Sequence, residues 1–181
     1  MFGWFRKNVR PNSPSPGNAR NASGGEVFAG LRNQALATKR SQVGMPAPPD
    51  SSPIWGLLME TGYPKATATV FALADGTTSL YLSSGGGVIG GQGHVSVRIA
   101  NAEFLAVANR LRQNLTPTTE YPFPKTGDTV FYALTDSGVL TGGGPENDLG
   151  HGRHPLSHLF HAGHGVLTQL RLITESKGQG G

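Results

Sequence analysis

The sequence predicts an α+β fold in which helices pack on a five-stranded antiparallel sheet, in the element order α-β-β-β-α-β-β-α. Runs rich in β-branched and aromatic residues are joined by tight-turn signals at residues 75–76 and 136–138, a pattern typical of hairpins and so of antiparallel pairing. Other segments carry apolar residues at helical spacing. Such helices bury their apolar stripe against a sheet.

An internal repeat supports the same fold. Residues 69–94 and residues 129–151 each contain Thr-Val-Phe, a turn signal, three consecutive glycines, five further residues and Gly-His. Self-similarity of this kind usually marks one supersecondary unit that is used twice. The fold should therefore contain a duplicated hairpin-GGG-helix unit.

The first part of the chain predicts an arm, a helix and a linker. Residues 1–22 are too poor in apolar residues to fold, so they are predicted as a disordered aromatic and basic N-terminal arm. Ser23 and Glu26 have capping-box spacing, which assigns residues 23–44 to an N-terminal helix. Proline-rich residues 45–53 are predicted as an extended linker. The helix packs either on the main domain or on a partner chain.

The rest of the chain predicts a single α+β domain, residues 54–176, followed by a disordered tail, residues 177–181. Strands are predicted over 54–60, 65–74, 77–83, 129–134 and 139–141, and helices over 101–115 and 155–174. Two segments fit either structure: 94–99 is a strand or the start of the middle helix, and 166–173 is a strand or part of the last helix.

The predicted element order is similar to that of type III secretion chaperones and loosely resembles the profilin and roadblock group. The resemblance is one of topology, and it assigns no functional residue to this chain.

Composition excludes several classes of protein. The chain has no cysteine, which excludes a disulfide scaffold, a thiolate metal site and a cysteine nucleophile. Residues 1–52 hold seven Lys or Arg and two acidic residues, whereas residues 53–181 hold eight and nine. The folded part is thus nearly neutral, which argues against nucleic-acid binding. No run of 18 apolar residues and no signal-peptide pattern is found, so a cytoplasmic location is predicted.

The glycine-rich segment 85–90 fits the pattern G-x-G-x-x-G and follows a predicted strand. A dinucleotide site also requires a parallel βαβ unit, a helix that begins at the glycines and an acidic residue about 20 positions later. This segment instead follows the second strand of a predicted hairpin. We interpret both GGG runs as tight turns with positive φ that lead from the sheet to a helix.

Histidines are the best candidates for a site. Five of the six lie between residues 151 and 164, and the repeat gives His94 and His151 matching positions. Zinc binds imidazole and carboxylate ligands. The candidate metal ligands are His94, His151, His154 and His158. Solvated or helix-capping histidines are the alternative interpretation, and no cofactor is required by any motif.

These observations favour a non-enzymatic protein-interaction module, adaptor- or chaperone-like, over an enzyme, because no nucleophile with a base and no paired carboxylates are found. The alternative is a protein or enzyme that binds a small ligand or a metal with the Gly-rich loops and their histidines. The expected partner is another protein, and a second copy of the chain is one candidate. Residues 2–10 combine aromatic and basic side chains, which suits a weak peripheral contact with a membrane.

Overall fold

The computed structural model describes residues 24–44 and 53–178 of the 181-residue chain. The predicted arm (1–22), the capping residue Ser23 and most of the predicted linker (45–52) lie outside the described residues. So do residues 179–181 of the predicted tail. Residues 177 and 178, also assigned to that tail, belong to the last helix.

The described residues form one antiparallel sheet and four α-helices. The helices are α1 (Gly24–Ala37), α2 (Val95–Arg110), α3 (Glu146–Gly150) and α4 (Ser157–Gly178). The strands are β1 (Gly56–Tyr63), β2 (Ala66–Leu73), β3 (Thr78–Leu82), β4 (Gly87–Val88), β5 (Thr116–Thr118), β6 (Asp128–Thr135) and β7 (Gly138–Pro145). The α+β class is therefore confirmed, with two more strands than predicted.

The seven strands lie in the order β4-β3-β2-β1-β6-β7-β5, and every pair of neighbours is antiparallel. The prediction of five strands is wrong because β4 and β5 are edge strands of two and three residues, too short to show any periodicity. Pro117 lies in β5, which fits an edge strand because proline cannot donate to a ladder.

The element order also differs from the predicted one. β4 precedes α2, β5 follows it, and the one-turn helix α3 precedes α4. The topology on which the resemblance to secretion chaperones and the roadblock group rested is therefore not the observed one. Both ambiguous segments are helical, since residues 95–99 begin α2 and residues 166–173 lie inside α4.

Both faces of the sheet are covered, which explains why β1 is apolar without alternation. One face packs on α2 and α4 around a core that includes Met59, Phe104 and Phe131. The other face packs on α1 through a second core that includes Phe28 and Tyr132. A central strand buried on both faces reads as a continuous apolar run instead of an alternating one.

The two copies of the repeat form equivalent hairpins, β2–β3 and β6–β7, on either side of β1. Their matching residues face opposite sides of the sheet. Val70 and Phe131 belong to the core under α2 and α4, whereas Phe71 and Val130 pack in the core under α1. A rotation about the axis of β1 therefore superposes the strands of one copy on those of the other. It does not superpose the helices, because α2 and α4 lie on the same face of the sheet.

The two GGG runs have different structures. Gly85, Gly86 and Gly87 have φ values of 98°, 83° and 148°, as predicted for a tight turn, but the turn leads into β4 and not into a helix. Residues 142–144 lie inside β7, and none of them has a positive φ. The duplicated hairpin is thus present, but the second glycine run is strand and does not lead directly into a long helix.

The N-terminal helix packs on its own chain. Arg32 of α1 donates two hydrogen bonds to Glu60 of β1, from Nε to Oε1 at 2.7 Å and from Nη2 to Oε2 at 2.8 Å. The side chains are 5% and 0% exposed. Thr69 donates a further bond to Glu60 Oε1 at 2.9 Å, and Arg32 Cζ lies 4.1 Å above the ring of Phe123.

Within the described residues, no helix has the length and apolar character needed to cross a membrane.

Candidate functional site

A cleft of about 490 Å³ gathers titratable groups where α3, the first half of α4 and the turn before β6 meet. We call it the imidazole cleft. Its lining residues are Gly127, Glu146, Asn147, Gly150, His151, Phe160 and His164. The described residues that line the cleft include one carboxylate and two imidazoles and no Lys or Arg. The cleft therefore offers hydrogen-bond acceptors and an aromatic surface.

Local sequence explains how these groups come together. Pro145 ends β7 and stands at the N-cap of α3, and the amide of Glu146 donates to the carbonyl of Gly127 at 2.8 Å. The helix ends after one turn, followed by Gly152 at a φ of 74°, a conformation that suits glycine. The chain reverses direction at this point, and His151 lies beside α4 in the cleft.

His164 is the most perturbed group of the cleft. Its ring packs on Phe160 with the ring centroids 4.2 Å apart and the planes tilted by 50°, and its Nε2 is shielded from solvent without a hydrogen-bond partner among the described residues. Burial lowers the pKa of the His164 imidazole, and the nearby His161 adds to this, while Glu146 opposes it. At neutral pH the ring is therefore an uncharged acceptor.

Glu146 also affects the pKa of a tyrosine at the end of β1. Burial, and then the Glu146 carboxylate, raise the pKa of the Tyr63 phenol at the end of β1. A phenol that keeps its proton is a hydrogen-bond donor. Glu146 therefore raises the pKa of two groups, the Tyr63 phenol and the His164 imidazole.

The four predicted metal ligands do not lie together. His94 stands at the N-cap of α2, beside Gly91, where an added Cβ would be 2.5 Å from Leu170. His151 lies in the imidazole cleft beside Phe160. Phe160 and Leu170 are ten residues apart on α4, so the two histidines lie beside different parts of that helix.

The other two histidines have local roles. His154 accepts a hydrogen bond at Nδ1 from the amide of Leu156 at 3.1 Å, and its ring lies against Gly144. His158 is exposed and faces α2, in a separate cleft with Glu103. Within the residues that the structure describes, no group of three or more histidine or acidic side chains could hold a metal ion.

Comparison with protein-family models, curated proteins and solved structures gave no significant match. The function must therefore be argued from these surfaces themselves.

The G-x-G-x-x-G segment does not have the context of a dinucleotide site. β4 pairs antiparallel with β3 inside this segment, and α2 begins only at Val95. A Cβ on Gly87 would collide with the carbonyl oxygen of Leu80, so glycine is needed here for close approach of two strands.

A second surface was missed by the sequence analysis. Four residues on the outer side of α2, at spacings of four, three and four, form what we call the α2 stripe: Val95, Ile99, Ala102 and Ala106. Val95 is 61% and Ile99 66% exposed, and Ile89 just before α2 is 71% exposed. These spacings average about 3.7 residues, close to the 3.6 residues of one helical turn, so the four side chains lie along one face of α2.

We expect the stability of the protein to fall as the pH drops below about 6.5, the ordinary pKa of histidine. The lowered pKa of His164 means that the unfolded chain binds this proton more readily than the folded chain. The stabilisation is therefore complete above the unfolded pKa and is lost as the pH falls toward the folded pKa. Urea midpoints measured on both sides of that pKa, for wild type and His164→Gln, should show a smaller pH effect in the variant.

His158→Gln, which removes an exposed histidine from the same helix, is the matched control and should leave the pH effect as it is in wild type. An equal pH effect in wild type and His164→Gln would contradict the assignment of this effect to His164.

Proposed function

We propose that this chain is a non-enzymatic protein-interaction module that self-associates through the α2 stripe. The observation that carries the proposal is a row of apolar residues, about one helical turn apart, on the side of α2 turned away from the sheet, in which Val95 is 61% and Ile99 66% exposed. Contiguous apolar surface on a folded domain marks an interaction site more often than chance exposure. We place the module in the cytoplasm, on the sequence grounds given above.

A second copy of the chain is the proposed partner. The opposite side of α2 is already used, because Val97 and Phe104 are fully buried against the sheet. Ala102 and Ala106 have short side chains, so they would let a second helix approach closely, while Val95 and Ile99 would supply apolar area. Two α2 stripes packed across a twofold axis would form an isologous interface.

The interface is not proposed on α1, the helix that the sequence assigns either to the main domain or to a partner chain. Arg32 fixes α1 on the sheet of its own chain, so the apolar stripe of α1 already has a surface to cover. The α2 stripe has no such cover among the described residues.

We expect light scattering at micromolar concentration to give the mass of a dimer for the wild type and of a monomer for Ile99→Asp. Placing a charge at the centre of an apolar interface should weaken association about tenfold or more, because central interface residues cost more than ~1.4 kcal/mol when they are lost. The melting temperature of diluted samples should stay close to that of wild type, since Ile99 is exposed.

Val27→Asp provides the matched control, because Val27 is a half-exposed apolar residue on α1. This variant should remain dimeric. A monomeric wild type, or a dimer that Ile99→Asp leaves intact, would contradict self-association through the α2 stripe.

A second candidate function is ligand binding at the imidazole cleft, favoured by the unpartnered Nε2 of His164 beside Glu146. Zinc would require His151 and His164 to move together with Glu146, since these side chains are not grouped as a metal site. Calorimetric titration with zinc, comparing His151→Ala with His94→Ala, tests it. Binding that is lost only in His151→Ala supports this cleft, whereas the absence of binding in wild type rejects the metal.

A further inference from the structure

A second cleft, of about 460 Å³, lies where the end of α1 and the following 3-10 turn meet the β6–β7 hairpin. We call it the hairpin cleft. Residues 36–41 form one wall, residues of the hairpin between 134 and 139 form the other, and Trp55 lies between them. The imidazole cleft and the α2 stripe share no residue with it.

Two hydrogen-bond donors in this cleft have no acceptor among the residues that the structure describes. They are Nε1 of Trp55 and Nε of Arg40, and both atoms are shielded from solvent. Trp55 is 3% exposed, and the side chain of Arg40 is 11% exposed. A buried donor without a partner costs about 1–3 kcal/mol, so two of them in one cleft call for an explanation.

The position of Arg40 is fixed by another contact. Its Nη1 donates to Oδ2 of Asp136 in the hairpin at 2.9 Å, which ties the guanidinium to the hairpin wall of the cleft. A guanidinium presents several N–H groups in one plane, so one edge can serve Asp136 while the edge that carries Nε serves a different acceptor.

The chemistry of the missing group follows from these donors. Indole and guanidinium nitrogens donate and do not accept, so the partner of each must be an acceptor. Lys39 and Arg40 contribute two positive charges to the lining, and Asp136 contributes one negative charge. A single negative charge would therefore neutralise the cleft, whereas a dianion would be repelled by Asp136. A carboxylate fits these requirements best.

We propose that the hairpin cleft binds the carboxylate of a small organic acid, which accepts hydrogen bonds from Trp55 Nε1 and Arg40 Nε. Planar carboxylates match the edge of a guanidinium, and bonds that involve two charged groups are the strongest of this kind. The volume of the cleft falls in the range of small-molecule sites.

A carboxylate could also come from the chain itself. Asp50 is the nearest acidic residue before Trp55 in the sequence, and it lies outside the described residues. The test therefore needs one arm for an added carboxylate and another for Asp50.

The experiment follows the indole N–H of Trp55 by two-dimensional ¹H–¹⁵N NMR in a Trp4→Phe background, because the chain has two tryptophans. Sodium acetate is the probe, and sodium chloride at equal ionic strength is the control. We expect a saturable downfield shift of the indole proton with acetate alone. Arg40→Gln should weaken acetate binding about tenfold or more, the loss expected for a charged hydrogen bond. Arg153→Gln, a matched change at an exposed arginine paired with Asp148, should leave it unchanged.

Two results would overturn the proposal. One is an indole resonance that does not respond to acetate, or that responds equally in wild type and Arg40→Gln. The other is an upfield shift of the indole proton in Asp50→Asn without acetate, which would show that the chain's own carboxylate fills the cleft. A resonance unchanged in Asp50→Asn, together with a saturable acetate shift, supports an external acid.

Discussion

Replacing Arg32 by methionine should cost about 3–5 kcal/mol of unfolding free energy, the loss expected when one partner of a buried ion pair is removed. Glu60 is fully buried in the central strand, and Arg32 supplies two of its hydrogen bonds. Without the guanidinium the carboxylate keeps only the bond from Thr69 among these contacts. Urea denaturation of wild type and variant measures the loss.

Two further variants make this prediction specific. Arg110→Met breaks an exposed pair with Glu103 and should cost less than about 1 kcal/mol. The double variant Arg32→Met with Glu60→Met removes both buried charges, so it should recover most of the stability lost in the single variant. A loss at Arg32 no larger than the loss at Arg110 would mean that α1 contributes little to the folded state.

Gly163→Val should destabilise the protein by about 1–3 kcal/mol through overpacking, whereas Gly165→Val should change the stability by a few tenths of a kcal/mol. A Cβ at Gly163 would collide with Met59 Sδ and lie 3.1 Å from Phe104 Cε2. At Gly165 an added Cβ meets nothing within 4 Å. Both glycines lie in α4, so the pair separates packing from helix propensity.

Thermal and urea unfolding of the two variants provide the measurement. Gly163→Ala should fall between wild type and Gly163→Val, because the end of the Met59 side chain is flexible and can move partly aside. Equal effects at Gly163 and Gly165 would contradict the close approach of α4 to β1.

Local signals predicted the parts of the fold that have local causes. The turn at residues 75–76 was found because Gly76 adopts a φ of 94°, which few other residues tolerate. The helical stripe that includes Phe104 was found because α2 buries one face only. The hairpins β2–β3 and β6–β7 follow from the same kind of pattern.

Features that depend on contacts between distant segments could not be predicted. Residues 142–144 have the same sequence as residues 85–87, yet pairing with β6 makes them strand. Arg32 and Glu60 are 28 residues apart, and each was a lone charge in an apolar stretch. That shared anomaly, one charge of each sign among buried positions, was the signal available in the sequence.

The candidate site shows the same limit. Sequence reasoning identified His151 as a candidate, but it paired His151 with His94, which stands at the N-cap of α2 and does not line the imidazole cleft. The repeat suggests that His94 and His151 occupy equivalent positions. They do not, because both long helices lie on the same face of the sheet. His164 was not singled out, because its perturbation comes from Phe160 and burial, which only packing creates.

The two short edge strands have a consequence for the behaviour of the protein at high concentration. Cross-β growth requires a long, flat row of unpaired backbone groups onto which further strands can add. One edge strand of this sheet has two residues, and the other has three residues, one of which is Pro117. Fibril elongation from the native fold is therefore disfavoured, and concentrated solutions should remain free of amyloid as long as the sheet stays folded.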